Sequence, residues 1–532
     1  MPTFKLDDRE IPFEPGDTVI RAAHRVGVDI PHYCWHPGLS VAANCRMCLV
    51  EVMPPPGRPA MMLDVLSWDA EKGDYVPQKK PKLQPACQFG ASDGLVVKSQ
   101  TSEHVIKARS AVQELLLLNH PVDCPICDQA GECRLQDYWL EHQAKKKRMR
   151  DEPVHKPKGV VFGPTIVYDA ERCIVCTRCV RVSEELAKDP VLSVRERGNL
   201  NEITVSPGRA LDHKYTLMTE YVCPVGALTS KDFRFKARVW FLRSSRTVCT
   251  GCATGCNSFT DFDPREQKVY RYRPRENMLV NKYWMCDDGM LDYARVHEGR
   301  VLSARLKGES STREAALDKA ADYLRGKDAA SLAVVLSAEH SQEDNLALVW
   351  LAREVLGLTQ VYVSGRPEGQ GDDILINPDK NANSAGVAEL VDVINLRSFS
   401  EFEAAVGAGK VDVAVSLGSS IPQQSDAPKR VRALISLTTH EGPWSKVAAV
   451  VLPASSWAEA DGTFVNAKGL AQESEKAINP QGDSRPAWRL VSELAKALGK
   501  GPSWRRVEDV RNAVTKSART SSVPAPSAGA NG

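Results

Sequence analysis

Fifteen cysteines, all lying between Cys34 and Cys286, constrain this chain more than any other feature. The number is odd, the residues fall in short spacings, and none follows Cys286 in a chain of 532 residues. A disulfide framework needs a secretory setting and short, stapled domains. The opening segment MPTFKLDDRE carries neither a basic n-region nor an apolar stretch, so no signal peptide is expected. Reduced thiols grouped in this way point to metal.

Four groups emerge. Cys34, Cys45 and Cys48 form the first, with Cys87 after a long gap, and His120-x3-Cys124-x2-Cys127-x5-Cys133 is the second. The third is Cys173-x2-Cys176-x2-Cys179 followed by Cys223-Pro224; the last is Cys249-x2-Cys252-x3-Cys256 with Cys286 beyond. With His120 counted, sixteen candidate ligands fall into four sets of four and no cysteine is left over. Thiolates suit iron–sulfur clusters and zinc alike, so ligand type leaves both open. Spacing separates them in part. A Cys-x2-Cys-x2-Cys loop wraps three thiolates around a cubane and a distant cysteine before proline closes it, so the third set predicts a [4Fe–4S] cluster. A tetrahedral zinc more often takes two separated Cys-x2-Cys knuckles.

Ten residues separate Cys34 from Cys45, which departs from the plant-type Cys-x4-Cys-x2-Cys spacing. The surroundings still read as a β-grasp ferredoxin. TFKLDDREIPF predicts two short strands joined at an Asp-Asp turn, and a helix follows from Thr18 to about Val26. The cluster would sit in the loop after that helix; a zinc knuckle is the alternative. Pro54 to Pro85, rich in Pro and Lys, reads as an exposed excursion before Cys87.

A lone histidine is more often a satisfied core or surface residue than a ligand, and His32, His36 and His142 are read that way. His120 differs because its group supplies three thiolates where a cubane takes four ligands. It follows an expected amphipathic helix, capped near Ser102 and carrying Val105, Ile106, Val112, Leu115 and Leu116. Neutral imidazole in place of thiolate lowers the negative charge on a cluster and favours its reduced form.

Composition excludes other classes. Sixty-nine basic against sixty-seven acidic residues give a formal charge of +2, no electrostatic case for nucleic acid. Apolar runs such as Leu115 to Leu118 fall far short of the ~20 residues that span a bilayer. The run Lys145 to Arg150 reads as a solvated linker or a contact with an acidic partner protein. GRPEGQG (365–371) lacks both Gly-x-Gly-x-x-Gly and a Walker ending, so no nucleotide or flavin site is expected. SLAVVLSAEHS (331–341) and VDVAVSLGSS (411–420) read as buried strands beside helical stretches such as Gln342 to Leu356, a pattern of parallel α/β sheets.

The order of these motifs resembles the electron-input module shared by four groups of proteins. They are the large iron–sulfur subunit of respiratory NADH–quinone oxidoreductase (complex I), the iron-only hydrogenases, and NAD-linked hydrogenases and formate dehydrogenases. The resemblance is carried by His-x3-Cys-x2-Cys-x5-Cys between a ferredoxin-like start and the Cys-x2-Cys-x2-Cys segment. The fourth set resembles the extra [4Fe–4S] site of molybdopterin oxidoreductases, and RYRPRENMLVNKYWMCDDG (271–289) is similar to its complex I version. ILINPDKNANSAG (374–386) and VVLPASSWAEADGTFVNAKG (450–469) are similar to the molybdopterin-oxidoreductase-like region of the complex I protein. A catalytic formate dehydrogenase or an iron-only hydrogenase of this lineage needs further cysteine or selenocysteine ligands, and none follows Cys286. The chain is thereby identified as a member of the complex I branch, in a bacterial short form. The alternative is the electron-wiring subunit of a soluble NAD-linked hydrogenase or formate dehydrogenase, and a zinc-stabilised scaffold is a third reading.

The resemblance implies a multidomain α+β and α/β fold. Its parts are a β-grasp [2Fe–2S] ferredoxin-like domain (1–100), a [4Fe–4S] segment with one histidine and three cysteine ligands (101–150), a ferredoxin-like [4Fe–4S] domain (151–240) and a molybdopterin-oxidoreductase-type [4Fe–4S] domain (241–300). A truncated molybdopterin-oxidoreductase-like α/β region (301–515) and a disordered tail (516–532) complete the expectation. It implies one [2Fe–2S] cluster on Cys34, Cys45, Cys48 and Cys87. It implies three [4Fe–4S] clusters, on His120, Cys124, Cys127 and Cys133, on Cys173, Cys176, Cys179 and Cys223, and on Cys249, Cys252, Cys256 and Cys286. No catalytic residue and no molybdenum cofactor are expected, and the flavin lies on a partner subunit. Electrons would reach the Cys173 set, pass the His120 set and leave towards quinone. The implied partners are the NADH- and flavin-binding subunit, other peripheral-arm subunits and, indirectly, the membrane arm of a translocase. The implied place is the cytoplasmic face of the bacterial inner membrane, with no transmembrane helix.

Overall fold

The computed structural model describes residues 1–520 except 56, 144, 147 and 419–424. The chain divides into two compact units, Met1–Trp240 and Phe241–Gly532.

In the first unit, β1 (Thr3–Leu6) and β2 (Arg9–Pro12) form the expected hairpin. Asp7 turns the corner at φ 51°, and its carboxylate accepts the backbone N–H groups of Ser99, Gln100 and Thr101. Alternation along the strands buries Phe4, Leu6 and Ile11. The Thr18 hydroxyl caps α1 (Val19–Arg25), which turns Val19, Ile20, Ala22 and Ala23 inwards. Burying a valine or isoleucine side chain contributes about 1.5–3 kcal/mol. β3 (Leu49–Met53) follows the first cysteine loop.

The stretch read as an excursion is exposed but regular. There β4 (Met62–Asp69) pairs with β5 (Asp74–Pro81) as an antiparallel hairpin that leaves Leu66 and Trp68 at the surface. β6 (Gln84–Pro85) and β7 (Val96–Lys98) complete a sheet of order β2-β1-β7-β3-β6, with β7 parallel to β1. This is the β-grasp arrangement, a sheet holding one helix.

Ser102 caps α2 (Glu103–Leu117), accepting from the Val105 N–H at 3.4 Å. The buried face of α2 differs from the expectation: Val105, Arg109 and Gln113 are inside, while Ile106 and Leu115 are exposed. The guanidinium of Arg109 donates to the carbonyls of Met47, Leu49 and Ser99, binding the helix to the β-grasp. Next comes α3 (Arg134–His142), then β8 (Val160–Val161) and β9 (Ile166–Tyr168). A short helix, Arg178–Arg181, continues as a wider turn over Val182–Leu186. β10 (Leu192–Arg195) and β11 (Glu202–Val205) form a hairpin, and β12 (Leu228–Ser230) joins β9 and β8 in a three-stranded sheet.

The second unit opens with an antiparallel sheet of β13 (Arg243–Val248), β14 (Asn257–Asp263) and β15 (Lys268–Pro274). Its main body is an eight-stranded sheet. The strands are β16 (Ala304–Leu306), β17 (Glu309–Ser311), β18 (Leu332–Ser337), β19 (Gln360–Ser364), β20 (Asn395–Arg397), β21 (Val413–Leu417), β22 (Ala433–Thr438) and β23 (Val450–Pro453). The order β17-β16-β23-β22-β21-β18-β19-β20 makes β18 to β23 a parallel, doubly wound set. Val334, Val415 and Ile435 face the helices Arg313–Leu324, Gln342–Trp350 and Ala487–Ala497. Val335, Ala414 and Leu434 face Phe402 and Trp444 on the opposite side. Both strands expected from sequence are present as β18 and β21.

One expectation needs correction. A helix spans Val507–Thr520, so residues 516–520 of the segment read as disordered are helical. Val510 anchors that helix in the core, and residues 521–532 lie outside the described part. Among the described residues no helix is long and apolar enough to cross a membrane.

Candidate metal centres

The first set is formed by a loop between α1 and β3. Ala43 (φ 49°) and Arg46 (φ 61°) bracket Cys45 in left-handed conformations, each costing about 1–2 kcal/mol for a residue with a side chain. The Cys34 N–H points at the Cys45 sulfur at 3.4 Å. The Ala86 N–H donates to the Cys48 carbonyl at 2.9 Å, which brings Cys87 alongside. A hydrogen bond from Cys45 lowers the Cys34 thiol pKa to about 5 and pushes that of Cys45 up. Cys48 is pushed up by its hydrogen bond with Cys87 and by burial. The thiols are thus hydrogen-bonded in two pairs, Cys34 with Cys45 and Cys48 with Cys87, and Cys34 acts electrostatically on Cys48.

The second set lies on the connection from α2 to α3. Cys124 opens a tight turn, Cys124–Ile126, and is exposed, whereas Cys127 is buried. Cys133 stands at the N-terminus of α3, where burial raises its thiol pKa to about 11, with Cys127 and Cys124 adding to the effect. His120 sits beside the turn that begins at Cys124, with Arg172, Asp123 and Lys158 as electrostatic neighbours. Burial lowers its pKa to about 4, so the ring is neutral at pH 7. Its Nδ1 is buried without a hydrogen-bond partner, as are Nδ1 of His104 and Nε2 of His142 and His213, so it is the three neighbouring cysteines that single His120 out as a candidate ligand. His142, expected to be satisfied, is not satisfied at Nε2. His32, by contrast, is a satisfied core histidine whose Nδ1 meets the Ile30 carbonyl at 2.6 Å.

The third set has Cys176 and Cys179 buried and Cys173 and Cys223 half-buried. Cys173, Cys176, Cys179 and Cys223 all line one small cavity, of about 10 Å³, bordered by Tyr168, Ile174, Ile203 and Leu228. Val175 (φ 49°) and Thr177 (φ 60°) alternate with the cysteines in left-handed conformations, curling the loop around the cavity. The Val175 N–H approaches the Cys173 sulfur at 3.3 Å. Burial is the first cause that raises all four thiols, Cys173 to about 11. Tyr168 hydrogen-bonds Cys173 and receives the Ile203 N–H at 3.0 Å. Its part in the site could not be read from spacing, because it lies on β9 outside the cysteine motif.

The fourth set belongs to the second unit. The Cys249 N–H donates to the Cys256 carbonyl at 2.8 Å, closing the loop between β13 and β14. Cys286 begins the helix Asp287–Leu291 and accepts the Gly289 N–H at 3.3 Å. A β-carbon on Gly289 would lie 3.2 Å from the Cys249 sulfur and 3.3 Å from that of Cys286, so this glycine separates the two thiols. Burial pushes up Cys249 and Cys256 and raises Cys286 to about 12. Ala253 is strapped on both sides, its N–H to the Asp379 carbonyl and its carbonyl to the Ala467 N–H. The segments 374–386 and 450–469 thus support this loop.

Hydrogen bonds also join the sets of the first unit. Asn44 donates to the Val175 carbonyl at 3.2 Å, linking the first and third loops. The Arg134 N–H, next to Cys133, donates to the Pro224 carbonyl, next to Cys223, at 3.1 Å. Tyr33 donates to Gln113, which donates to the Leu135 carbonyl at 2.9 Å, linking the first and second. Grouped soft donors in buried cradles, one of them an orphaned imidazole, fit iron–sulfur centres, whose iron would relieve the cost of thiolate charge in these surroundings.

Four families match along the chain. They are a 2Fe-2S iron-sulfur cluster binding domain (residues 1–102), the NADH-ubiquinone oxidoreductase-G iron-sulfur binding region (109–148), the ferredoxin-like domain of NADH-quinone oxidoreductase subunit 3 (163–229) and molybdopterin oxidoreductase (327–497). The G-type subunit of NADH-quinone oxidoreductase from Streptomyces coelicolor is 38% identical over 55% of this chain and 31% of its own length. Its Mycobacterium bovis counterpart is 34% identical over 69% of this chain and 43% of its own. The chain therefore spans less than half the length of these relatives. A solved NAD+-reducing [NiFe]-hydrogenase is 28% identical, covering 45% of this chain and 91% of that one, at a TM-score of 0.35 that carries no weight. Two matches named for this oxidoreductase, flanked by a ferredoxin and a molybdopterin-oxidoreductase region, make the chain similar, motif by motif, to the G-type iron–sulfur subunits of NADH-quinone oxidoreductase.

Proposed function

We propose that this chain relays single electrons within NADH–quinone oxidoreductase, from a flavin on a partner subunit towards quinone. The reading rests above all on the contiguity of the three donor sets in the first unit, whose loops are hydrogen-bonded to one another. In it, Cys34, Cys45, Cys48 and Cys87 hold a [2Fe–2S] centre. His120 with Cys124, Cys127 and Cys133, Cys173 with Cys176, Cys179 and Cys223, and Cys249 with Cys252, Cys256 and Cys286 hold [4Fe–4S] centres. In this reading the domains run 1–100, 101–150, 151–240 and 241–300, and the α/β body beyond acts as scaffold without a molybdenum cofactor. Its partners are the flavin subunit and neighbouring peripheral-arm subunits, at the cytoplasmic face of the inner membrane.

Iron–sulfur centres, when bound, take up and release one electron at a time. The chain's own residues set the conditions. Tyr168, Ile203 and Leu228 line the third cavity beside its four cysteines. The N–H groups of Val175, Gly251 and Gly289 aim at cysteine sulfurs at 3.3–3.4 Å and stabilise their negative charge. A neutral His120 ring withholds one negative charge from the second set.

A gentle native pull-down of the tagged chain tests the assignment. Recovery from the membrane fraction with a flavin subunit and membrane-embedded subunits is expected. Recovery as a soluble assembly with a nickel-iron or molybdenum catalytic subunit would contradict it.

A further inference from the structure

Arg178 and Arg181 stand on the short helix that carries Cys179 of the third set, with only 6% and 7% of their surfaces exposed. Each guanidinium is engaged by backbone carbonyls, and those carbonyls belong to two cysteine sets. Arg181 Nη2 donates to the Cys34 carbonyl at 2.6 Å and to the Cys176 carbonyl at 3.2 Å. Its Nη1 reaches the Ser40 carbonyl and its Nε the Thr177 carbonyl. Arg178 donates through one arm to the Trp35 carbonyl, next to Cys34, and through the other to the Val222 carbonyl, next to Cys223, at 3.2 Å.

Neither arginine forms an ion pair with a carboxylate among the described residues. Glu185, one turn further on, is engaged by the N–H and hydroxyl of Ser40. Two buried guanidinium charges without a carboxylate are costly unless negative charge lies nearby. The groups that carry such charge when ionised are the cysteines of the first and third sets. The guanidinium of arginine is the side-chain cation that proteins keep charged. A fixed positive charge favours the more negative, reduced form of a neighbouring centre.

We infer that Arg178 and Arg181 are counter-charges shared by the first and third cysteine sets and hold the reduction potentials of both up. They touch no substrate and act through the centres they flank. The inference rests on the cluster reading proposed above. It also predicts an unusual signature, in which one substitution moves two midpoints.

The test is an EPR-monitored redox titration of the native assembly carrying Arg181→Gln, Arg181→Lys or Arg178→Gln, with iron counted in each. At the wild-type midpoints, the ratio of reduced to oxidised centre in the glutamine variants should fall about tenfold at both sets, a shift of about 59 mV for one electron. Arg181→Lys keeps the charge without the fork and should stay near wild type. A glutamine variant that fails to load the first set is read at the third, where the same fall is expected. Loss of both sets with glutamine but not with lysine would still assign the role to charge. Unmoved midpoints with iron retained, or equal effects of lysine and glutamine, would overturn the inference. Absence of iron from the wild-type chain would instead sink the cluster reading itself.

Discussion

A β-carbon on Gly226 would stand 2.3 Å from the sulfur of Cys127. Gly226 lies three residues beyond Cys223, so the loop of the third set presses directly on a thiol of the second. Neither loop can be altered there without moving the other. Gly226→Ala should displace Cys127 at a cost of about 1–3 kcal/mol in packing, with loss of about four iron atoms from the second set. Iron analysis with EPR checks this; full occupancy would show that the loops slide apart freely.

His120 offers a sharper probe of the second set. Its ring is buried, neutral and lacks a hydrogen-bond partner at Nδ1. His120→Cys supplies a fourth thiolate, which should keep the cubane while lowering its potential. An unaltered redox titration would count against ligation by this residue.

The second unit contains a buried charge cluster whose pH dependence has a definite sign. Asp261 accepts from Arg271 at 2.8 Å, from Arg273 at 2.6 and 2.9 Å, and from Ser244 at 2.6 Å. Burial alone would raise its pKa, but the two arginines and Ser244 outweigh it and hold the carboxyl below its ordinary value. The stability it contributes is thus fully present above an unfolded-state pKa of about 3.9 and is lost as pH falls through the lower folded value. Asp261→Asn should destabilise this unit by about 3 kcal/mol at pH 7. The gap should close below pH of about 4. Urea unfolding of variant and wild type across pH measures both.

Ser102 joins the helix that delivers His120 to the β-grasp. Its hydroxyl accepts from the Val105 N–H and donates to Glu51 at 2.6 Å. Ser102→Ala should cost about 1 kcal/mol, seen as a lower unfolding midpoint with iron content unchanged.

The cysteine sets were legible in the sequence because a Cys-x2-Cys loop is local: left-handed residues such as Val175 and Thr177 sit between neighbouring ligands. The parallel strands were legible for a similar reason, as β18 and β21 are buried on both faces and read as continuous apolar runs. The buried face of α2 was not. Arg109 and Gln113 are polar by type, and their burial depends on carbonyls of loops distant in sequence. The exposed hairpin of β4 and β5 was hidden by Pro77 and Pro81 and by its lysines, which are compatible with an exposed two-stranded ribbon. The arginines beside the third set were passed over because their hydrogen bonds reach the carbonyls of Cys34 and Trp35, far away along the chain.

The central claim is that all sixteen residues hold iron. The direct measurement is anaerobic analysis of iron, acid-labile sulfide and zinc in the purified chain. One [2Fe–2S] and three [4Fe–4S] centres require about 14 iron atoms per chain, with matching sulfide. Near-zero iron with about four zinc ions, one per cysteine set, would contradict the account and leave a zinc-stabilised scaffold in its place.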